Sequence, residues 1–530
     1  MTDLASSPSD TAAEDPTTVW HTTACILCSN NCGVEVRLDG RTITRVRGNK
    51  AHVSSKGYTC EKALRIDHYQ NARSRLTSPM RRRPDGSHEP VDWPTAIAEV
   101  AAGLQQVADR HGADSILYYG GGGQGNHLCG AYGASTRRAL GITRMSNALA
   151  QEKTGEAWVE GRMFGTHTHP EFHHAEVSVF LGKNPWHSHG IDEARRVLKQ
   201  IAADEDRSLI VIDPRRTETA DLADEWLQVR PGTDAFLLAA LGAVLVEENL
   251  LATDWLAANT TGSEDAAAAF ASVPIGAFAD RCGIPETTIR RVARRLGAAR
   301  SVAILEDLGI EMAPHSTLVS YLHRAIWVML GQYGTPGGAS AHTSLVPLFT
   351  YGAAGAEPTD PVTGGAIISG LVPCNEIADG ILSDHPDRTR ALFVESANPV
   401  HSLAESEKFR RAMRTAEFSV VIDVAMTETA AEASYVLPAA SQYEKVETTF
   451  FAAGFPENKA TVRPPILEPL GDSLPEAEIH SRLAKALGVV TEEDLQPLRV
   501  AAEQGYDVFA EAFTGAASAK PALASVGGVV

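Results

Sequence analysis

The stretch Ile210–Leu227, IVIDPRRTETADLADEWL, returns as VVIDVAMTETAAEASYVL at Val420–Leu437, displaced by 210 positions. Ile212/Ile422, Asp213/Asp423, Thr217/Thr427, Glu218/Glu428, Thr219/Thr429, Ala220/Ala430, Ala223/Ala433 and Leu227/Leu437 are identical pairs. So many matches in one register mark an internal repeat, which bears on the whole architecture before any single motif does. Each copy follows an apolar run that ends in Asn-Pro, VSVFLGKNPWHSH before the first and RALFVESANPVHS before the second. Between these markers, ARRVLKQIAADEDRSLIVIDPRR reads as an amphipathic helix, then the buried strand Leu209–Ile212, then Asp213 at the carboxyl end of that strand. The predicted unit is strand, loop, helix, strand, acidic loop. Ligands of open α/β sheets bind at this strand edge, where an aspartate accepts hydrogen bonds from a base or ribose. A doubled scaffold without a ligand satisfies the same pattern.

Upstream of the repeat, CILCSNNC supplies Cys25, Cys28 and Cys32, and GYTCEKA supplies Cys60. Three thiolates on one loop and a distant fourth suit a cubane iron–sulfur cluster, whereas structural zinc usually takes two separated pairs. The spacing therefore favours the cluster. Cys129, Cys282 and Cys374 are scattered singly, as ordinary core thiols are. Lys62, two residues past the fourth cysteine, reads either as an exposed lysine or as a cation beside the cluster.

At 530 residues the chain has room for about three or four domains. A formal charge of -19 repels phosphate backbones, so Arg81–Arg83 and Arg290–Arg295 read as solvated surface or helix face, and no nucleic-acid partner is expected. No apolar run reaches the roughly 18 residues of a membrane helix, so no membrane insertion is expected. The acidic, Ser/Thr/Pro-containing start lacks an export pattern, which predicts a disordered tail over 1–19 and a cytoplasmic protein. YYGGGGQGN contains a formal GxGxxG at Gly120, Gly122 and Gly125. It lacks the acidic answer about 20 residues on, and reads as a close-approach loop. His167, His169, His173 and His174 have no helical pairing and read as loop and core histidines.

In order, the cysteine segment, LGKNP, IDPRRTETADLAD, VRPGTDAFLLAAL, LGQYGTPGGAS, SANP, DVAMTETA and VLPAASQYEK resemble the molybdopterin oxidoreductases of the dimethyl sulfoxide reductase superfamily, most closely formate dehydrogenase alpha subunits. The resemblance runs from about Thr23 to Val490. It implies an α/β protein: a small β-rich iron–sulfur domain (20–78), then two interleaved doubly wound domains (79–145 with 341–490, and 146–340). It implies a four-iron four-sulfur cluster on Cys25, Cys28, Cys32 and Cys60, and two molybdopterin guanine dinucleotides around one molybdenum or tungsten ion. Gly182, Asn184, Asp213, Arg215, Gly232 and Asp234 would line one dinucleotide, and Asn398, Asp423 and Thr427 the other. Lys62 would bridge cluster and pterin. The implied activity is a formate dehydrogenase-like oxidoreductase acting on a small molecule, with a redox partner protein or electron-accepting subunit.

Three departures qualify this. Where relatives place cysteine, selenocysteine or serine on the metal, NALAQEKTG has Gln151 and Glu152, so Glu152 stands as a candidate oxygen ligand. The charged residues that orient formate in relatives are missing, with Lys153 and His342 as candidate replacements, and Ser396 takes the place of a glycine before Asn-Pro. Relatives continue into a C-terminal β-barrel, whereas here 491–530 reads as a small-residue tail, which predicts that a separate chain supplies that domain or that the product is shortened. The alternative reading is a non-catalytic electron-transfer or structural subunit, like the degenerate molybdopterin-fold subunit of respiratory complex I.

Overall fold

The computed structural model describes residues 19–120, 127–341, 357–449 and 458–529. A three-stranded antiparallel sheet opens the chain, from Trp20–Ala24, Gly33–Asp39 and Thr42–Gly48. Two larger sheets follow. The first is four-stranded and wholly parallel, in the order Glu225–Leu227, Ser208–Ile212, Val177–Leu181, Val302–Glu306. The second has seven strands, in the order His88–Pro90, Met80–Arg82, Tyr435–Pro438, Phe418–Asp423, Ala391–Glu395, Ile116–Tyr119, Met145–Ser146. It draws strands from both sides of the first sheet in sequence, so the two halves interleave.

Why these runs are parallel strands follows from their burial. Successive residues of a strand point to opposite faces, and Val177, Val179 and Leu181 join one apolar cluster while Phe180 joins another. On one side lie the helices Asp234–Glu247, Glu286–Gly297 and Ser316–Met329, and on the other lies Ala194–Ala202. The second sheet behaves alike. Leu117, Leu392, Val394 and Val421 face the helix Ser406–Thr415, while Ile116, Phe393, Val420 and Ile422 face Trp93–His111 and Glu476–Ala486. A sheet covered on both faces reads as continuous apolar sequence, which is what SLIVI and ALFVE are.

The repeat reaches beyond the two matched peptides. Four neighbouring strands occupy the same order in each sheet, but the fourth follows the repeat in one half, at Val302–Glu306, and precedes it in the other, at Ile116–Tyr119. Residues 491–529 differ from the tail read in the sequence. They form the helices Glu492–Gln504, Tyr506–Ala519 and Pro521–Ser525, because Leu523, Val526 and Val529 bury with Leu495 against Tyr132 and Ala139 of the helix His127–Leu140. Thr491 starts this segment with a reciprocal cap on Asp494. The basic run on Glu286–Gly297 is a surface lattice, in which Arg291 pairs with Glu225, Arg294 with Glu248 and Arg295 with Glu176. Among the described residues no helix is long and apolar enough to cross a membrane.

Candidate functional site

In both copies of the repeat the loop after the second strand is held by one set of bonds. Thr219 Oγ1 donates to Asn184 Oδ1 at 2.6 Å and accepts from the Trp186 backbone N–H at 3.2 Å, while Asn184 Nδ2 donates to Glu218 at 2.9 Å. Thr429, Asn398, Val400 and Glu428 repeat this at 2.8, 3.0 and 2.6 Å. Thr217 and Thr427 each accept the N–H of an alanine three residues on. The identical Thr-Glu-Thr-Ala segments therefore clasp the Asn-Pro loop of their own half. Asn184 and Asn398 act first as the anchors of that clasp, and Thr427 also donates to Asp423 at 3.3 Å.

Among the described residues the Asp213 carboxyl accepts from the Arg215 backbone N–H, while Asp423 accepts from the Val424 backbone N–H at 2.6 Å as well as from Thr427. Asp213, Gly182, Gly232 and Asp234 line one cavity of about 390 Å³ with Pro214, Gly309 and Ile310. Burial pushes the Asp213 carboxyl up from its usual range, and Asp234 rises for the same reason, with the charge of Asp213 adding to it. Two carboxylates that repel across a partly dry cavity call for a ligand edge that donates several N–H groups, which is what guanine offers. Glycine is required at the cavity wall. Gly182 has φ +60°, and a Cβ there would approach the Gly309 carbonyl carbon and the Ile310 nitrogen to 2.9 Å. Gly232 has φ +75°. Arg215 lies exposed at the rim, with its backbone N–H on Asp213 at 2.8 Å. In the second half, burial carries Asp423 up to about 6. These residues fit a guanine dinucleotide.

The four cysteines converge. Cys25 N–H donates to Cys32 O at 2.8 Å, and Asn31 Nδ2 donates to Cys25 O at 2.7 Å, closing the loop of three. Burial pushes Cys25 and Cys32 up to about 12, with the neighbouring thiols adding to the rise. Thiolates at such places need a cation to neutralise them, so the quartet fits a metal cluster. Lys62 reaches from this loop to Ser188 O at 3.5 Å, next to the Asn-Pro loop of the first half. Among the described residues, one further group comes within metal-ligating range: Cys60, Glu61 and His189, whose ligand atoms lie within 4.8 Å of one another.

The structure separates the other candidates. Glu152 ends the short helix Leu149–Glu152 with its carboxyl raised by burial, Lys153 opposing and Asp307 adding. Lys153 donates to Glu311 at 2.5 Å and lies 3.0 Å from Glu156 and 3.8 Å from Asp307, so its ammonium is spent on acidic side-chain oxygens of its own half. His342, Gly122 and Gly125 lie outside the described residues. His167 and His174 pair with Glu160 and Glu171. Cys374 is a core thiol, as its solitary place in the sequence implied, and donates to Asn147 O at 2.8 Å.

Sequence reasoning missed a buried ion network. Arg324, 2% exposed, pairs with Glu156 at 2.8 Å, Glu160 at 2.9 Å and Glu306 at 2.5 Å. The signal was present. Glu156 and Glu160 share a face of the helix Thr154–Met163 at four-residue spacing, and a lone arginine interrupts the apolar helix STLVSYLHRAIWVM.

Comparison with known proteins adds to this geometry. Residues 75–486 match the model of the family described as molybdopterin oxidoreductase, and residues 18–72 match the molybdopterin oxidoreductase Fe4S4 domain. The chain is 28% identical to a nitrate reductase of Symbiobacterium thermophilum over 88% of its length and 66% of that protein's. It is 27% identical to formate dehydrogenase H of Escherichia coli, over 88% of its own length and 68% of that protein's. The acetylene hydratase from Pelobacter acetylenicus shares the fold, with a TM-score of 0.77 at 21% identity over 88% of this chain and 69% of that one. The chain thus spans about two thirds of these relatives.

Proposed function

Because the chain belongs to the molybdopterin oxidoreductase family, we propose that it is a redox subunit that holds a four-iron cluster and two guanine dinucleotides around one molybdenum or tungsten ion, and that it acts on a small substrate. The observation that carries this reading is the glycine-walled cavity with its paired aspartates Asp213 and Asp234, answered in the second half by Asp423. When bound, the metal and pterins supply two-electron chemistry and the cluster supplies single-electron transfer. The protein's part is placement. Asp213 and Asp234 accept from the base edge, Gly182 and Gly232 admit the ligand close to the backbone, and Arg215 offers charge to a phosphate at the rim. Lys62 places a cation between the cysteine loop and the first half. Glu152 is the candidate oxygen donor to the metal in the region where relatives carry a thiol.

We assign the cluster to residues 20–78, one dinucleotide to 146–340 and the other to 79–145 with 341–490. Among the described residues no disulfide joins any of the seven cysteines, in keeping with a reducing cytoplasm. An electron-accepting protein partner fits this scheme, as does a separate chain that closes over the dinucleotides. Some relatives are named as subunits, among them the F420-dependent formate dehydrogenase subunit alpha of Methanocaldococcus jannaschii.

The missing thiol near Glu152 favours a second reading, an electron-transfer subunit without a working metal–pterin centre. Metal and nucleotide analysis of anaerobically purified protein, made alone and with its neighbouring genes, separates the two. About four irons, one molybdenum or tungsten and two guanines per chain support the enzyme, and justify a substrate screen beginning with formate and nitrate. Four irons with neither metal nor guanine support the electron-transfer subunit.

A further inference from the structure

His189 is buried and its backbone sits in the left-handed region at φ 58°. Strain of this kind persists where the surroundings over-determine the residue. The surroundings here are Tyr58 and Arg195. The Arg195 backbone N–H donates to the Tyr58 hydroxyl at 3.2 Å, so the hydroxyl's own hydrogen is free for another acceptor. That acceptor is His189 Nδ1, at 3.4 Å, with the two rings edge-on. A neutral imidazole with an accepting Nδ1 carries its proton on Nε2. Among the described residues Nε2 is buried and has no hydrogen-bond partner. A buried donor without an acceptor asks for an explanation. The ring lies beside the cysteine quartet, with a ring nitrogen within 4.8 Å of Cys60 Sγ.

We propose that His189 is a positioning residue for the iron–sulfur cluster, donating its Nε2–H to a cluster sulfur with Tyr58 fixing the tautomer, and that this bond raises the cluster's reduction potential. The inference rests on the reading that Cys25, Cys28, Cys32 and Cys60 hold that cluster. Its physical basis is charge. Reduction adds one electron to the cluster, a donor aimed at sulfur stabilises the more negative state, and hydrogen bonds to the sulfurs are among the terms that set such potentials. Lys62 and Arg195 bring further positive charge to this side, and Glu61 opposes them. His189 would then help set how readily the cluster takes an electron and passes it on.

The test is an anaerobic redox titration of the cluster, followed by electron paramagnetic resonance, with iron counted in every sample. His189→Phe keeps a ring and removes the donor. It should lower the reduction equilibrium about tenfold, which is about 59 mV for one electron. His189→Asn, which tolerates the left-handed backbone and restores an N–H, should recover part of the shift, and Tyr58→Phe should give a smaller shift of the same sign. An unchanged potential in a fully iron-loaded His189→Phe protein overturns the inference while leaving the cluster assignment intact. If that variant does not retain iron, unmodified protein labelled with ¹⁵N-histidine decides. A histidine nitrogen coupled to the reduced cluster, with an exchangeable proton, supports the bond, and its absence overturns it. Absence of iron from the unmodified protein overturns the cluster reading itself.

Discussion

Replacing Arg324 by methionine should be among the most damaging single changes in the first half, for a reason that pH exposes. Burial pushes the carboxyls of Glu156, Glu160 and Glu306 up, and the groups beside them outweigh it: Lys153 and Arg324 at Glu156, Arg324 and His167 at Glu160, Arg324 and a bond from His323 at Glu306. All three therefore sit below the usual carboxylate range in the folded protein. Groups depressed in this way contribute stability that is present above the unfolded value of about 4.3 and is lost as pH falls through the folded value. Methionine fills much of the same volume but leaves the carboxylates facing one another without their shared cation. Breaking a buried pair by removing one partner costs about 3–5 kcal/mol. In the variant the carboxyls rise above their unfolded values, so the loss is full at pH 8 and shrinks as they take up protons towards pH 5. Trp327, one turn away and bonded to Val302 O at 2.5 Å, reports on this core by fluorescence during urea unfolding. A loss below about 1 kcal/mol, or a loss unchanged between pH 8 and pH 5, would refute the argument that charge compensation holds this core.

Other substitutions test other links. Glu311→Gln should cost under about 1 kcal/mol at pH 7, because burial and the charge of Glu156 lift this carboxyl to about 9 and the folded protein already holds it protonated. Ser396→Gly should stabilise by about 0.5 kcal/mol in thermal unfolding, since Ser396 sits at φ 52° where its counterpart Gly182 sits at φ 60°. Asp423→Asn should move two readouts in opposite directions. Its carboxyl is raised by burial to about 6, a cost to folding that is present above that value and relieved as pH falls, so the empty protein should gain up to about 3 kcal/mol at pH 8 while bound guanine per chain falls. Glu152→Gln should reduce molybdenum or tungsten content with iron unchanged, and equal metal content in the variant would remove Glu152 as a ligand.

What the sequence disclosed and what it hid divide by distance along the chain. The doubled α/β unit was readable because each strand, loop and aspartate falls within a few tens of residues, and the cysteine spacing was readable for the same reason. The clasp of Asn184 on Glu218 and Thr219 was within reach too, since the repeat preserves all three partners. The Arg324 network left a signal in each of two helices, but not the pairing between them, because its members lie as far as 168 positions apart and only the fold makes them neighbours. Residues 491–529 misled in another way. Alanine-rich, polar sequence reads as a tail when its few apolar residues have no visible partner, and the partner here is the helix His127–Leu140 more than 350 positions earlier.

The repeat also shows where the two halves part company. Pro214, Arg215 and Arg216 in the first copy correspond to Val424, Ala425 and Met426 in the second, so the first loop carries two cations where the second carries none. The clasp is kept on both sides, down to a histidine beside the glutamate, His187 with Glu218 at 3.1 Å and His401 with Glu428 at 3.7 Å. Folding therefore explains the identical Thr-Glu-Thr-Ala positions and cannot explain the different ones, which lie on the loop after the acidic strand end. If both clefts hold the same dinucleotide, the second must draw its phosphate-facing charge from other elements. Arg215→Ala should then loosen one nucleotide of two, and a loss of both guanines together would show that the clefts fill cooperatively.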